Sequence, residues 1–172
     1  MDIVSASNND DAIAWYENNG AADPSWTAAD IATSADAARS VFVADMDNDG
    51  DMDIYVANDK DMNLLFINNG KGRFTESALL MGVGFNGNGL AEAGMGVDLG
   101  DIDRDGWLDI YVTNYSGETN TLYLNQNPGI FSDATNDIGL GQPSVHPLAF
   151  GTKFVDLDLD GWLDIFVANG HV

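Results

Sequence analysis

The chain has 172 residues, of which 28 are Asp or Glu and 6 are Lys or Arg, for a formal charge of -22, and it contains no cysteine. So acidic a surface excludes charge-driven binding to nucleic acid or to anionic membranes, disulfides contribute nothing, and no apolar run approaches the ~18 residues of a membrane span. The opening MDIVSAS lacks the basic and apolar regions of a signal peptide, so any export signal is expected outside this chain.

In chain order, residues 2–7 (DIVSAS) read as a short strand that aligns with DIYVAN from Asp53, DIYVTN from Asp109 and DIFVAN from Asp164. Alternation around Ile13 and Trp15 then ends in Asn18, Asn19 and Gly20, the signature of a strand closed by a tight turn. NLLFINNG ending at Gly70 and TLYLNQNPG ending at Gly129 repeat that pattern, and a further short strand is expected after each turn, clearest around Phe74 and Phe131. Trp15 and Tyr16 are adjacent on their strand and point to opposite faces, with one of them expected to be buried. The Ala-rich residues 27–38 are read as an irregular connection in preference to a helical turn.

SVFVAD then leads into DMDNDGDMD at residues 45–53, which returns as DIDRDGWLD at 101–109 and DLDLDGWLD at 156–164, offset by 56 and 55 residues. Acids stand at positions one, three, five and nine and glycine at six. A hard cation takes six to eight oxygens, and alternate residues of a tight loop aim carboxylates at one point while a backbone carbonyl adds another. The pattern therefore implies about three calcium ions. By analogy with the calcium loops of EF-hands, the first is assigned to the side chains of Asp45, Asp47, Asp49 and Asp53 with the carbonyl of Asp51 at position seven. The second takes Asp101, Asp103, Asp105 and Asp109 with the carbonyl of Trp107, and the third Asp156, Asp158, Asp160 and Asp164 with the carbonyl of Trp162. Three divalent ions would bring the charge of -22 to about -16. Magnesium fits less well, because it demands stricter octahedral geometry and keeps its waters.

An EF-hand is excluded as the frame of these loops. It needs a bidentate Glu at position twelve and flanking helices, whereas position twelve here is Val56, Val112 or Val167, inside β-branched and aromatic runs that read as strands. Each repeat thus holds four short strands, one before the loop, one after it, and one on each side of the Asn and Gly turn. Such units at this period describe β-propeller blades, an all-β fold of about three four-stranded antiparallel repeats forming a partial or open propeller. The repeat units are drawn at residues 2–52, 53–108 and 109–163, with a final strand at 164–172.

These repeats resemble the FG-GAP and VCBS repeats of integrin α-subunit propellers and of bacterial secreted proteins. GMGVDLGDIDRDGWLDIYVTN and FVDLDLDGWLDIFVANGH resemble in particular the cartilage acidic protein-like branch. The resemblance implies that the strand before each loop lines a central channel, that calcium pins its connection to the second strand, and that partners engage loops on the opposite face. It also implies closure with about seven blades. A chain of about three is then expected to be part of a longer protein, Asp2 being position nine of a loop whose first eight residues are absent, or else to complete a ring by self-association.

No catalytic residue is assigned. The run at residues 82–87 satisfies G-x-G-x-x-G but lacks the strand before it and the helix after it that a dinucleotide site needs, so it reads as a connection between blades. Neither His146 nor His171 has a Cys or His at metal spacing in the sequence, and Ser144 lacks a nucleophile elbow. Trp107 and Trp162 are expected to pack against a neighbouring blade, with sugar stacking as the alternative for an exposed aromatic. Asn114, Tyr115 and Ser116 form an N-x-S sequon. The expected function is a calcium-stabilised segment of an extracellular or cell-surface protein that binds a protein or a glycan. The alternatives are a non-catalytic part of a polysaccharide-degrading enzyme and a structural spacer.

Overall fold

A computed structural model describes residues 2–7 and 10–171. Thirteen strands and two single-turn helices are seen over these residues, in the order β1 (Ile3–Ser7), β2 (Ala12–Asn18), β3 (Trp26–Ala32), β4 (Ala38–Ala44), β5 (Asp53–Asn58), β6 (Leu64–Asn68), β7 (Phe74–Glu76), α1 (Ala78–Met81), β8 (Gly94–Gly100), β9 (Asp109–Asn114), β10 (Thr121–Asn127), β11 (Ile130–Asp133), α2 (Gly141–Ser144), β12 (Leu148–Val155) and β13 (Asp164–Gly170).

Every pairing is antiparallel and joins strands consecutive in sequence. They make four sheets, β1-β2-β3, β4-β5-β6-β7, β8-β9-β10-β11 and β12-β13. Each acidic loop joins the first two strands of its sheet, as the pairs Ala44 with Asp53, Gly100 with Asp109 and Val155 with Asp164 record. The expected four-strand repeat is thus present twice complete. One expectation fails: residues 27–32 are not an irregular connection but belong to β3, paired with β2 from Asn18–Trp26 to Ile13–Ala32. Alanine is a weak strand former whose choice is set by its neighbours, and here β2 offers an open row of amides and carbonyls.

The sheets stack face to face, and the pleat explains the sequence of β5. Alternate residues of a strand face opposite ways. Ile54 and Val56 join Ile13, Ala35 and Ala38 in a core against the first sheet, while Tyr55 and Ala57 join Val97, Ile110, Val112, Tyr123 and Phe131 in a core against the third. Tyr111 points forward in the same way, into a core with Phe154 and Leu122. A strand covered on both faces reads as a continuous apolar run, which is why DIYVAN and DIYVTN do not alternate with polar residues.

The first strands of adjacent sheets also touch. A Cβ on Gly96 of β8 would lie 2.0 Å from the Phe150 carbonyl oxygen of β12, so only glycine permits the approach, and Thr113 Oγ1 on the second strand, β9, donates to that same oxygen at 2.5 Å. Buried Asp98 on β8 accepts from Lys153 Nζ at 2.7 Å and from the Phe154 amide at 2.6 Å, both on β12. Neither Trp15 nor Tyr16 is fully buried. Both are half-exposed, and Trp15 Nε1 donates to Asp2 Oδ2 at 3.3 Å.

Candidate metal centres

The three loops share one internal hydrogen-bond pattern, generated by the spacing of their acids. In the first, Asp45 Oδ1 accepts from the Asp49 amide and Oδ2 from the Gly50 amide, both at 3.0 Å, and Asp49 Oδ1 accepts from the Asp51 amide at 2.9 Å. Asp101 accepts likewise from Asp105 and Gly106 at 3.1 and 3.0 Å, and Asp105 from Trp107 at 2.9 Å. Asp156 accepts from Asp160 and Gly161 at 3.1 and 2.8 Å, and Asp160 from Trp162 at 2.8 Å. The turn needs a left-handed backbone at position six, met by Gly50, Gly106 and Gly161 with φ of 98°, 94° and 89°. Position four is also left-handed, at Asn48, Arg104 and Leu159 with φ of 61°, 65° and 62°.

This winding gathers Asp45, Asp47 and Asp53 so that one carboxylate oxygen from each lies within 4.8 Å of the others, and it does the same for Asp101, Asp103 and Asp109 and for Asp156, Asp158 and Asp164. Of the expected side chains, positions one, three and nine converge. Those at position five, Asp49, Asp105 and Asp160, lie outside these groups, their Oδ1 atoms capping the amide two residues on. Both ion pairs among the described residues, Arg39 with Asp59 and Lys153 with Asp98, lie outside the loops, and Arg104, within loop two, stacks on Trp162 and forms no ion pair with a cluster acid.

Position nine does more than face the cluster. Asp53 Oδ2 accepts from the Met46 amide and Oδ1 from the Asn68 amide, each at 2.9 Å, and Asp109 accepts from Ile102 and Asn125, also at 2.9 Å. One carboxylate therefore ties its loop to the third strand of its sheet. Asp2 Oδ1 accepts from the Asn18 amide at 3.0 Å, as expected of a position-nine acid. Burial pushes the carboxyl groups of Asp53 and Asp109 up to about 6 and raises that of Asp47, which the neighbouring charge of Asp49 raises further. The residues fit a bound cation: each cluster holds three carboxylates, and buried Asp47 Oδ1 has no hydrogen-bond donor. An oxygen-rich, uncompensated set of this kind suits calcium.

Sequence reasoning missed the asparagines that frame the loops. Asn58 and Asn114, thirteen residues after loops one and two begin, donate their backbone amides to Asn63 Oδ1 and Asn120 Oδ1, each at 2.9 Å, and their side-chain amides donate to the Met62 and Thr119 carbonyls. The recurrence of Asn at that offset was the available signal. The same geometry holds the sequon asparagine: Asn114 is 1% exposed and its Nδ2 also donates to Glu92 and Thr121, so the folded protein does not present it at the surface. The G-x-G-x-x-G run follows α1 and leads to β8, in the connection between sheets. No described helix is long and apolar enough to cross a membrane.

Comparison with known proteins agrees with this architecture. Cartilage acidic protein 1 of Xenopus tropicalis is 32% identical over 134 residues, 76% of this chain and 19% of the relative. The mouse and human proteins of that name are each 36% identical, over 88 and 86 residues, or 51% and 50% of this chain. The matched stretch is thus less than a fifth of each relative's own length. Residues 1–56, 45–112 and 101–167 each match the FG-GAP-like repeat, the second and third matches starting on a loop and all three ending at position twelve of one. With these matches running through 167 of its 172 residues, the chain belongs to the FG-GAP-like repeat family.

Proposed function

We propose that this chain is a calcium-stabilised propeller segment of an extracellular protein, and that it binds another protein or a glycan without catalysing a reaction on it. The observation that carries the metal reading is the threefold recurrence of a three-carboxylate cluster whose acids form no ion pair among the described residues. Each ion would be held by positions one, three and nine, with position five and the position-seven carbonyl completing its oxygens. The ion would pin the turn between the first two strands of a sheet and offset the mutual repulsion of the acids.

The family match and the likeness to cartilage acidic protein 1 support an extracellular setting. There calcium is plentiful enough for sites in the roughly 0.1 to 1 mM range. Titration calorimetry should find about three calcium ions per chain, and scanning calorimetry should find a lower melting temperature in EDTA. Melting that is unchanged by chelation would overturn the metal reading. Glycan or protein capture without turnover supports adhesion, and turnover of a captured polysaccharide would overturn the non-catalytic part.

A further inference from the structure

Loops two and three meet through a cation over an aromatic ring. Arg104, position four of loop two, holds its guanidinium carbon 3.9 Å from the centre of the Trp162 ring, position seven of loop three. The fit is close, since a Cβ on Gly161 would come within 2.9 Å of Arg104 Nη2. A guanidinium is attracted to an indole face by the charge distribution of the ring and by stacking.

The repeat brings the same two positions together one step earlier. Asn48, position four of loop one, and Trp107, position seven of loop two, line a cleft of about 230 Å3 with Asp45, Met46, Leu108 and Asn125. Here position four carries no charge, and among the described residues no cation stacks on the half-buried Trp107. Asn125 adds an independent feature. It is 2% exposed, and its Nδ2 donates to the carbonyls of Met46 and Leu108, each at 3.3 Å, which fixes the orientation of the amide. Its Oδ1 is left buried with no donor, a costly state that an incoming N–H would relieve. Asp45 puts a carboxylate in the lining, and both flanking loops are acidic in sequence.

We propose that the cleft between loops one and two binds an arginine side chain of a partner protein, its guanidinium stacked on Trp107 and donating to Asn125 Oδ1. The occupant is read from the chain's own example at the next junction. Lysine fits less well, because an ammonium lacks the planar face that stacks. A sugar would cover the indole without using the charge of Asp45. The inference rests on the adhesion reading above and names the chemistry of its partner.

The test titrates the calcium-saturated protein with N-acetyl-arginine N-methylamide while following the indole N–H signals by NMR, with that of Trp107 assigned from Trp107→Phe. A saturable shift of the Trp107 signal is expected, with weaker binding of the lysine analogue. Asn48→Arg should weaken binding by about tenfold or more, because its own guanidinium fills the cleft. The variant is expected to fold, since Arg104 already adopts the same left-handed backbone at φ 65° that Asn48 has at 61°. An unmoved Trp107 signal, an Asn48→Arg protein that binds as well as the parent, or a shift produced by methyl α-glucoside and not by the arginine analogue would each overturn the proposal. Calcium uptake measured on the same sample keeps the two readings apart. Uptake without an arginine response sinks only this inference, whereas absent uptake sinks the metal reading whatever arginine does.

Discussion

Strands β9 and β13 carry nearly the same sequence, DIYVTN and DIFVAN, behind nearly the same loop, DIDRDGWLD and DLDLDGWLD, yet their surroundings are opposite. Every residue of β9 is buried, whereas β13 is exposed or half-exposed along its length. The difference reaches into the loops. Position two of loop one, Met46, is 1% exposed in the core between the second and third sheets, while its counterpart in loop three, Leu157, is 64% exposed. Asp109 accepts amide hydrogen bonds from Ile102 and Asn125, while Asp164 accepts from Leu157 and has no third strand beside it among the described residues. A loop of this kind winds from its own sequence, but its burial and its anchoring to a third strand come from neighbours.

The largest expected effect is that of calcium itself. On the proposed metal reading, with free calcium about ten times the dissociation constant, each site would add about 1.4 kcal/mol and three about 4. Removal by EDTA should lower the urea midpoint accordingly. If anchoring by a third strand matters, Asp109→Asn should reduce the stabilisation by calcium more than Asp164→Asn does. Equal losses would erase the distinction between the loops.

Next comes packing. Met46→Ala should cost about 2–5 kcal/mol by chemical denaturation, as expected for a fully buried side chain, and Leu157→Ala less than about 0.5 kcal/mol. Similar costs at the two sites would break the comparison outright.

The pH dependence follows from the buried position-nine acids. With carboxyl groups raised to about 6, the folded metal-free protein holds protons at Asp53 and Asp109 that the unfolded chain releases near pH 4. Their contribution to stability is therefore present at low pH and is lost as pH rises from about 4 through about 6. In EDTA the denaturation midpoint should fall over that window, and Asp53→Asn with Asp109→Asn should flatten the fall. Calcium requires the ionised carboxylates, so its affinity should rise over the same window.

The smallest effect is expected at the junction of loops two and three. Removing the guanidinium that covers Trp162, itself 50% exposed, by Arg104→Ala should cost about 0.5–1 kcal/mol. A null result in a thermal melt would make that contact incidental.

Much of this was legible because it is local. The alternate acids and the glycine at position six specify the loop, since the carboxylate of position one caps the amides four and five residues on, and the runs after position nine specify strands. The ends of Asn-rich strands announced their turns. The assignment of residues 27–32 failed because Ala and Asp, which make up most of the stretch, carry little strand preference of their own, and pairing with β2 decided them. The position-five acids were read as ligands from spacing, which does not reveal that one oxygen of each also caps the amide two residues on.

By itself, then, the sequence determined the period, the four-strand unit and the acidic loops, because these depend on contacts within about a dozen residues. Only the tertiary structure decided which copies of one motif are buried, that Asn125 bridges two loops across 79 residues to Met46, and that Arg104 lies over Trp162 while Trp107 has no such partner among the described residues. Those outcomes depend on which sheet stacks against which, and a repeat that writes the same residues in each unit carries no local record of its neighbours.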